Sequence, residues 1–199
     1  MPQILNTLSD SALASLLLHG SVGVMPTDTV YGLVCQASNQ TAVEHLYSLK
    51  AREHKPGTVI AANIDQLSDL GLKHRYVKAV EQFWPNPLSI IIPAGSELAY
   101  LHQAKGGLAC RVVQGPPELV SLLEQTGALL TTSANLPAHK PADTLKEAQN
   151  YFGDNVNFYV EGGDLSGHQP STLIRVVDDA IEVLRPGAIN IDESGRIKT

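Results

Sequence analysis

The 199-residue sequence predicts an α/β fold, in which a twisted sheet of mixed parallel and antiparallel strands carries helices packed against it. Three observations point there. Short, β-branched or continuously apolar runs such as TVIAANI, LSIIIPA and STLIRVVD read as strands. Stretches such as TAVEHLYSLKA read as amphipathic helices, with apolar side chains three and four residues apart. The two kinds of element are mixed without strict alternation, which disfavours a purely parallel sheet. The chain length fits one domain spanning 1–199, with residues 188–199 as a short tail.

Taken in order, Ser9 is the expected cap of a helix through SALASLLLH that stops at Gly20. SVGVMP follows as a short buried strand broken at Pro26. The helix over TAVEHLYSLKA delivers Lys50 and Arg52 at its C-terminal end, where the helix dipole favours cations. TVIAANI is a strand, and YVKAVEQFW a helix ended by PNP. LSIIIPA and LACRVV are strands. PPELVSLLEQTG is a helix with Pro117 in its first turn and Gly127 at its end. ALLTTSA is a strand, and Thr144 and Glu147 form a capping box before LKEAQNYFG. NFYVEGG, STLIRVVD and IEVLRPG close the chain as strands, the last two as a hairpin across Asp178-Asp179.

Composition narrows the function. The net charge of −6 argues against a broad nucleic-acid-binding surface, so an anion site has to be a local pocket. Cys35 and Cys110 lie apart in apolar runs and read as buried thiols. The seven histidines show no metal-ligand spacing, so no zinc site is expected. No apolar run reaches transmembrane length and no basic-then-apolar leader is present, so the chain is read as cytosolic, with no membrane partner. There is no G-x-x-x-x-G-K-[ST] loop, no G-x-G-x-x-G and no G-x-S-x-G elbow.

Against that acidic background, SLKAREHKPGT gathers Lys50, Arg52 and Lys55 in six positions. A solvated helix face is the plain explanation of such a run. Elsewhere small polar residues collect at strand ends: Thr27 and Thr29 in MPTDTVYG, Thr131 to Asn135 in ALLTTSAN, and Ser171 and Thr172 in QPSTLIRV. Such residues commonly satisfy turn backbone groups. Arg111, flanked by Cys110 and Val112, is costly unless it is edge-exposed or paired with a carboxylate or a ligand anion. Together with Arg185, these residues supply up to five cations and several hydroxyls, a donor set that suits a triphosphate.

The set resembles a known family. PTDTVYGL at 26–33, LKAR at 49–52, TSAN at 132–135, STLIRV at 171–176 and LRPG at 184–187 match, in order and spacing, the YrdC-like threonylcarbamoyl-AMP synthases of tRNA modification, in their short form. The resemblance implies a twisted α/β sheet with a large, positively charged concavity. It implies a nucleotidyltransferase that makes threonylcarbamoyl-AMP and pyrophosphate from ATP, L-threonine and bicarbonate or CO₂, with Mg²⁺ on the phosphates. The product feeds a separate tRNA threonylcarbamoyl transferase, with at most weak tRNA contact by the synthase itself. By motif, Lys50 and Arg52 are catalytic, and Lys50, Arg52, Lys55, Asn135 and Arg185 hold ATP. Thr29, Arg111, Ser133 and Ser171 hold threonine.

The chain departs from the family pattern twice. Glu53 stands where a Pro usually follows K-x-R, with Lys55 one residue early, and VIAAN lacks a His found in many members. The tail AINIDESGRIKT is a candidate lid. Two other readings compete. One is a non-catalytic relative that binds RNA, against which stand the acidic charge and the 5% of unclustered aromatics. The other is a lyase with Lys50 as a Schiff base beside Arg52 and Lys55.

Overall fold

The computed structural model describes residues 1–50, 55–177, 180–192 and 196–198. In chain order the elements are β1 (Gln3–Leu5), α1 (Ser11–Leu18), β2 (Gly23–Pro26), β3 (Tyr31–Gln36), α2 (Gln40–Leu49), β4 (Thr58–Ala61), α3 (Ile64–Asp69), α4 (His74–Ala79), β5 (Leu88–Pro93), α5 (Ala99–His102) and β6 (Gly107–Val112). There follow α6 (Pro117–Thr126), β7 (Leu129–Ser133), α7 (Leu145–Phe152), β8 (Phe158–Val160), β9 (Thr172–Val177), β10 (Ala180–Arg185), β11 (Asn190–Ile191) and β12 (Ile197–Lys198).

Strands β1 to β10 form one sheet in the order β1-β8-β2-β3-β7-β4-β6-β5-β9-β10. β8 runs parallel to β1 and β2, β4 to β6, and β5 to β9; the remaining pairs are antiparallel. The mixed sheet expected from the sequence is therefore present. Each face has its own core. Val24, Leu33, Val59 and Leu130 pack with α2, α3, α4, α5 and α7, whereas Met25, Val34, Ile60 and Leu129 pack with α1 and α6. Alternation along a pleated strand sends neighbours to opposite faces, and both faces are covered. This explains why the central strands read as unbroken apolar runs.

Local boundaries follow from caps. Asp10, not Ser9, caps α1: its carboxylate accepts from the Ala12 amide at 3.0 Å, so the helix starts one residue later. TVIAANI is strand only to Ala61, because Asn63 turns the chain by accepting from the Gln66 amide to open α3. The helix expected over YVKAVEQFW ends at Ala79 and passes into a 3₁₀ turn at Glu81–Phe83. That turn inserts Trp84, whose indole N–H donates to the Leu88 carbonyl at 2.9 Å. Thr144 caps α7 through the Glu147 amide, and the Glu147 carboxylate reaches back to the backbone, accepting from the Asp143 amide at 2.7 Å. Neither β1 nor β3 was anticipated. β3 opens on Tyr31-Gly32, which reads as turn, yet it pairs with β2 and β7 along its length.

The β9–β10 hairpin is as expected, although its Asp178-Asp179 turn lies outside the described residues. The tail forms a β11–β12 hairpin fastened at its start, where Thr172 Oγ1 donates to the Ile189 carbonyl at 2.5 Å. Cys35 and Cys110 are free and buried, and burial pushes both thiols well above their usual range.

Candidate active site

A cleft open to solvent, about 570 Å³, lies where several strands end or begin. Its walls come from Thr27, Thr29 and Gly32 of the β2–β3 hairpin, Pro56 to Thr58 ahead of and within β4, Thr131 to Ser133 of β7, Pro170 and Ser171 before β9, Arg111 of β6 and Arg185 of β10. Strand alternation explains the placing. In β6 and β7, Cys110 and Leu130 face the α2 side, so Arg111 and Thr131 face the other. That face of β6 and β7 borders the cleft, and Asp28 and Ser89 partner the guanidinium of Arg111, which is how a cation can sit inside an apolar strand.

Small residues keep the cleft open. A Cβ on Gly32 would lie 2.4 Å from Thr131 Oγ1, and one on Gly57 would lie 2.6 Å from the Thr131 carbonyl. Gly57 is pinned by its amide, which donates to the Tyr47 hydroxyl at 3.1 Å. Gly187 of the LRPG motif lies against the backbone of Pro170 to Thr172, where a Cβ would come within 2.3 Å of the Pro170 carbonyl oxygen. Tyr31, buried beside the β2–β3 turn, donates to the Gly163 carbonyl at 3.0 Å and accepts from the Gly162 amide at 2.8 Å.

The cations are held in different ways. Arg111 is 2% exposed and grips Asp28 side-on, Nε to Oδ2 at 2.8 Å and Nη2 to Oδ1 at 2.6 Å, while Nη1 donates to Ser89 Oγ at 2.9 Å. Arg185 Nη2 donates to the Ser171 carbonyl at 2.8 Å and touches Ser171 Oγ at 3.3 Å. Lys50, the C-cap of α2, is fully buried behind the cleft. Its ammonium donates to the Ser133 carbonyl at 2.7 Å, to Asn135 Oδ1 at 2.9 Å and to the Asn135 carbonyl. Asn135 Oδ1 also accepts from Ser133 Oγ at 2.6 Å, and its amide nitrogen donates to the Leu136 and His139 carbonyls. Thr29 lies in the turn and accepts or donates to Thr27 Oγ1 at 3.2 Å. Lys55 is exposed at the start of the segment leading to Gly57. Arg52 lies outside the described residues.

Of the residues expected at the site, Thr29, Arg111, Ser133, Ser171 and Arg185 therefore line one cleft, and Lys50 and Asn135 form the clasp behind Ser133. Sequence reasoning did not single out Asp28 or Ser89, and it named Thr131 only as one of a group of polar strand-end residues. The signal for Ser89 was present: it is the one hydroxyl in LSIIIP, on the strand face opposite Leu88 and Ile90. A second depression of about 860 Å³ lies beyond Thr27-Asp28, but it is lined by Glu118 and Glu161 and is the wrong sign for phosphate.

The fold and cleft define an α/β protein that gathers guanidiniums and hydroxyls in one cleft without a glycine-rich loop. The chain matches the Sua5/YciO/YrdC family, described as telomere recombination, over residues 15–187, and it belongs to that family. A threonylcarbamoyl-AMP synthase from Pseudomonas aeruginosa is 35% identical over 87% of this chain and 94% of its own. One from Photobacterium profundum is 33% identical over 88% and 97%. Among solved structures, P. abyssi Sua5 complexed with L-threonine superposes with a TM-score of 0.81 at 22% identity, over 94% of this chain. This chain spans 58% of that Sua5 chain. E. coli YciO superposes at 0.78 and 22% identity, over 94% and 96%. At such identities these two structures speak for the fold.

Proposed function

We propose that this protein is a threonylcarbamoyl-AMP synthase, a nucleotidyltransferase that joins ATP, L-threonine and bicarbonate or CO₂ and releases pyrophosphate. What carries the reading is the convergence of Arg111, Arg185, Thr29, Ser133 and Ser171 in one cleft, on a chain whose 33–35% identical relatives bear that name.

The chemistry asks little of covalent catalysis. The threonine amine adds to CO₂ and gives up a proton to become a carbamate (from bicarbonate, water leaves instead); a carbamate oxygen bonds to the α-phosphorus, and the bond to pyrophosphate breaks with its electron pair. Negative charge grows on phosphoryl oxygens, so prearranged cations and hydroxyls lower the barrier. Arg185, Arg52 and Lys55 are proposed to face the phosphates, and Thr29, Arg111, Ser133 and Ser171 the threonine. Lys50 and Asn135 are proposed to act through the Ser133 loop, whose carbonyls and side chain they hold. Mg²⁺ is proposed to come with the triphosphate: the cleft's donors suit phosphate oxygens, and the carboxylate of Asp28, between the lining residues Thr27 and Thr29, is engaged by Arg111. The product is proposed to pass to a separate transferase acting on tRNA. The tail, whose first residues are bonded to the Pro170–Thr172 wall, is proposed to cover the cleft when substrates are bound; removing it then raises the KM for ATP or threonine.

The test is pyrophosphate release from ATP by the purified protein, omitting threonine and bicarbonate in turn. Release that needs both supports the synthase. Release indifferent to threonine, or none, overturns it and leaves an RNA-binding relative as the reading to pursue.

A further inference from the structure

Ser89 lies outside the cleft lining, is fully buried, and touches two groups that do line it. Arg111 Nη1 donates to its Oγ at 2.9 Å, and its Oγ lies 2.8 Å from Ser171 Oγ. A hydroxyl carries one proton and two acceptor lone pairs, so the direction of the Ser89–Ser171 bond can be worked out. If Ser171 donated to Ser89, the Ser89 proton would have no acceptor among the described residues, inside a sealed core. A buried unmade hydrogen bond of that kind is costly. The proton of Ser89 therefore goes to Ser171. Ser171 Oγ then accepts from Ser89 and, more weakly, from Arg185 Nη2 at 3.3 Å. Both lone pairs are engaged, and its own proton has no acceptor among the described residues except what enters the cleft.

From this polarity we infer that Ser89 is a positioning residue: it relays the charge of Arg111 to Ser171 and makes the Ser171 hydroxyl an obligate donor to an anionic oxygen of the bound amino acid. The chain Asp28–Arg111–Ser89–Ser171 is anchored at a carboxylate and ends on a single outward-facing O–H. Hydrogen bonds in series polarise one another, which strengthens the last donor. A carboxylate or carbamate oxygen satisfies that donor; a group with only N–H protons to offer, such as an ammonium, does not. The inference rests on the synthase reading above and adds a residue that never touches substrate.

The experiment measures L-threonine binding by calorimetry, and the KM values for threonine and ATP, in wild type, Ser89→Ala and Ser89→Thr. The expectation is an approximately tenfold weaker threonine affinity and higher threonine KM in Ser89→Ala. Its KM for ATP stays within about twofold, and Ser89→Thr, which keeps the hydroxyl, restores threonine binding. Equal loss for ATP and threonine, or equal loss in Ser89→Thr, would mean packing alone and overturns the inference. So does normal threonine binding by Ser89→Ala. Wild-type protein that binds no threonine overturns the synthase reading and the inference with it. A thermal melt of each variant identifies one that has failed to fold, and Ser89→Cys, of similar volume with a weak donor, then takes the place of Ser89→Ala with the same expected split.

Discussion

Removing Asp28 should reveal how much the cleft depends on one carboxylate. The Arg111 side chain is 3% exposed and the Asp28 side chain 13%, and they meet through two parallel hydrogen bonds. Deleting one member of such a buried pair costs about 3–5 kcal/mol, because the other charge is left without compensation. Asp28→Ala strands the deeper partner, whose remaining hydrogen bond goes to Ser89, so about 3 kcal/mol is expected. Arg111→Met leaves a carboxylate at the edge of the second depression, where water can reach it, and about half that cost is expected. The double variant replaces both charges with apolar groups, so its cost should fall short of the sum by about 2 kcal/mol. Urea unfolding reports this directly, since Trp84 is the sole tryptophan and is 8% exposed. Coincident far-UV circular dichroism checks that the transition is two-state. A coupling below about 0.5 kcal/mol, with Asp28→Ala no worse than a surface change, would refute the reasoning and make the pair an exposed contact of little consequence.

Gly187→Ala puts a Cβ 2.6 Å from the Ser171 carbonyl carbon and the Thr172 nitrogen, so that backbone has to move. A loss of about 1–3 kcal/mol is expected, together with slower pyrophosphate release. Unchanged stability and rate would show the contact to be soft. Lys50→Met removes three donors from the Ser133–Asn135 loop, and about 3 kcal/mol is expected, read as a fall in Tm of about 6–12 °C. Arginine at that position should not restore it, because a planar fork does not fit a cage made for a point charge. At alkaline pH, burial holds the Tyr31 and Tyr159 phenols up at about 12. The unfolded chain loses these protons from about pH 10, so stability should fall as pH rises from about 10 to about 12. Their phenolate absorbance should appear late in an alkaline titration, and a Tyr31→Phe, Tyr159→Phe variant should weaken that dependence.

Much of the scaffold was legible because it rests on local rules. β-branched runs, Pro117, Gly127 and Thr144 announce their elements within a few residues. β3 escaped notice because Tyr31-Gly32 looks like a turn, and its strand character comes from being sandwiched between β2 and β7. The α1 cap missed by one residue because Ser9 and Asp10 are both good caps, and only the path of the chain chooses between them. For the site, order and spacing of short motifs identified most of the residues that line the cleft, though each motif alone is no more than a polar strand end.

The sequence by itself determined the class of fold, the local nature of any anion site and the residue types that would serve it. Those are matters of composition and of periods of two or three to four residues, which short-range sterics read out wherever the segment lies. Only the tertiary structure decided what each side chain is for. It placed Asp28 against Arg111, 83 positions away, and closed Lys50 on the loop at Ser133. It also laid Ser89 beside Ser171. A hydrogen bond has reach of about 3 Å and a strict direction. Which donor meets which acceptor is therefore set by the sheet order that brings distant strands together, and no spacing along the chain encodes it.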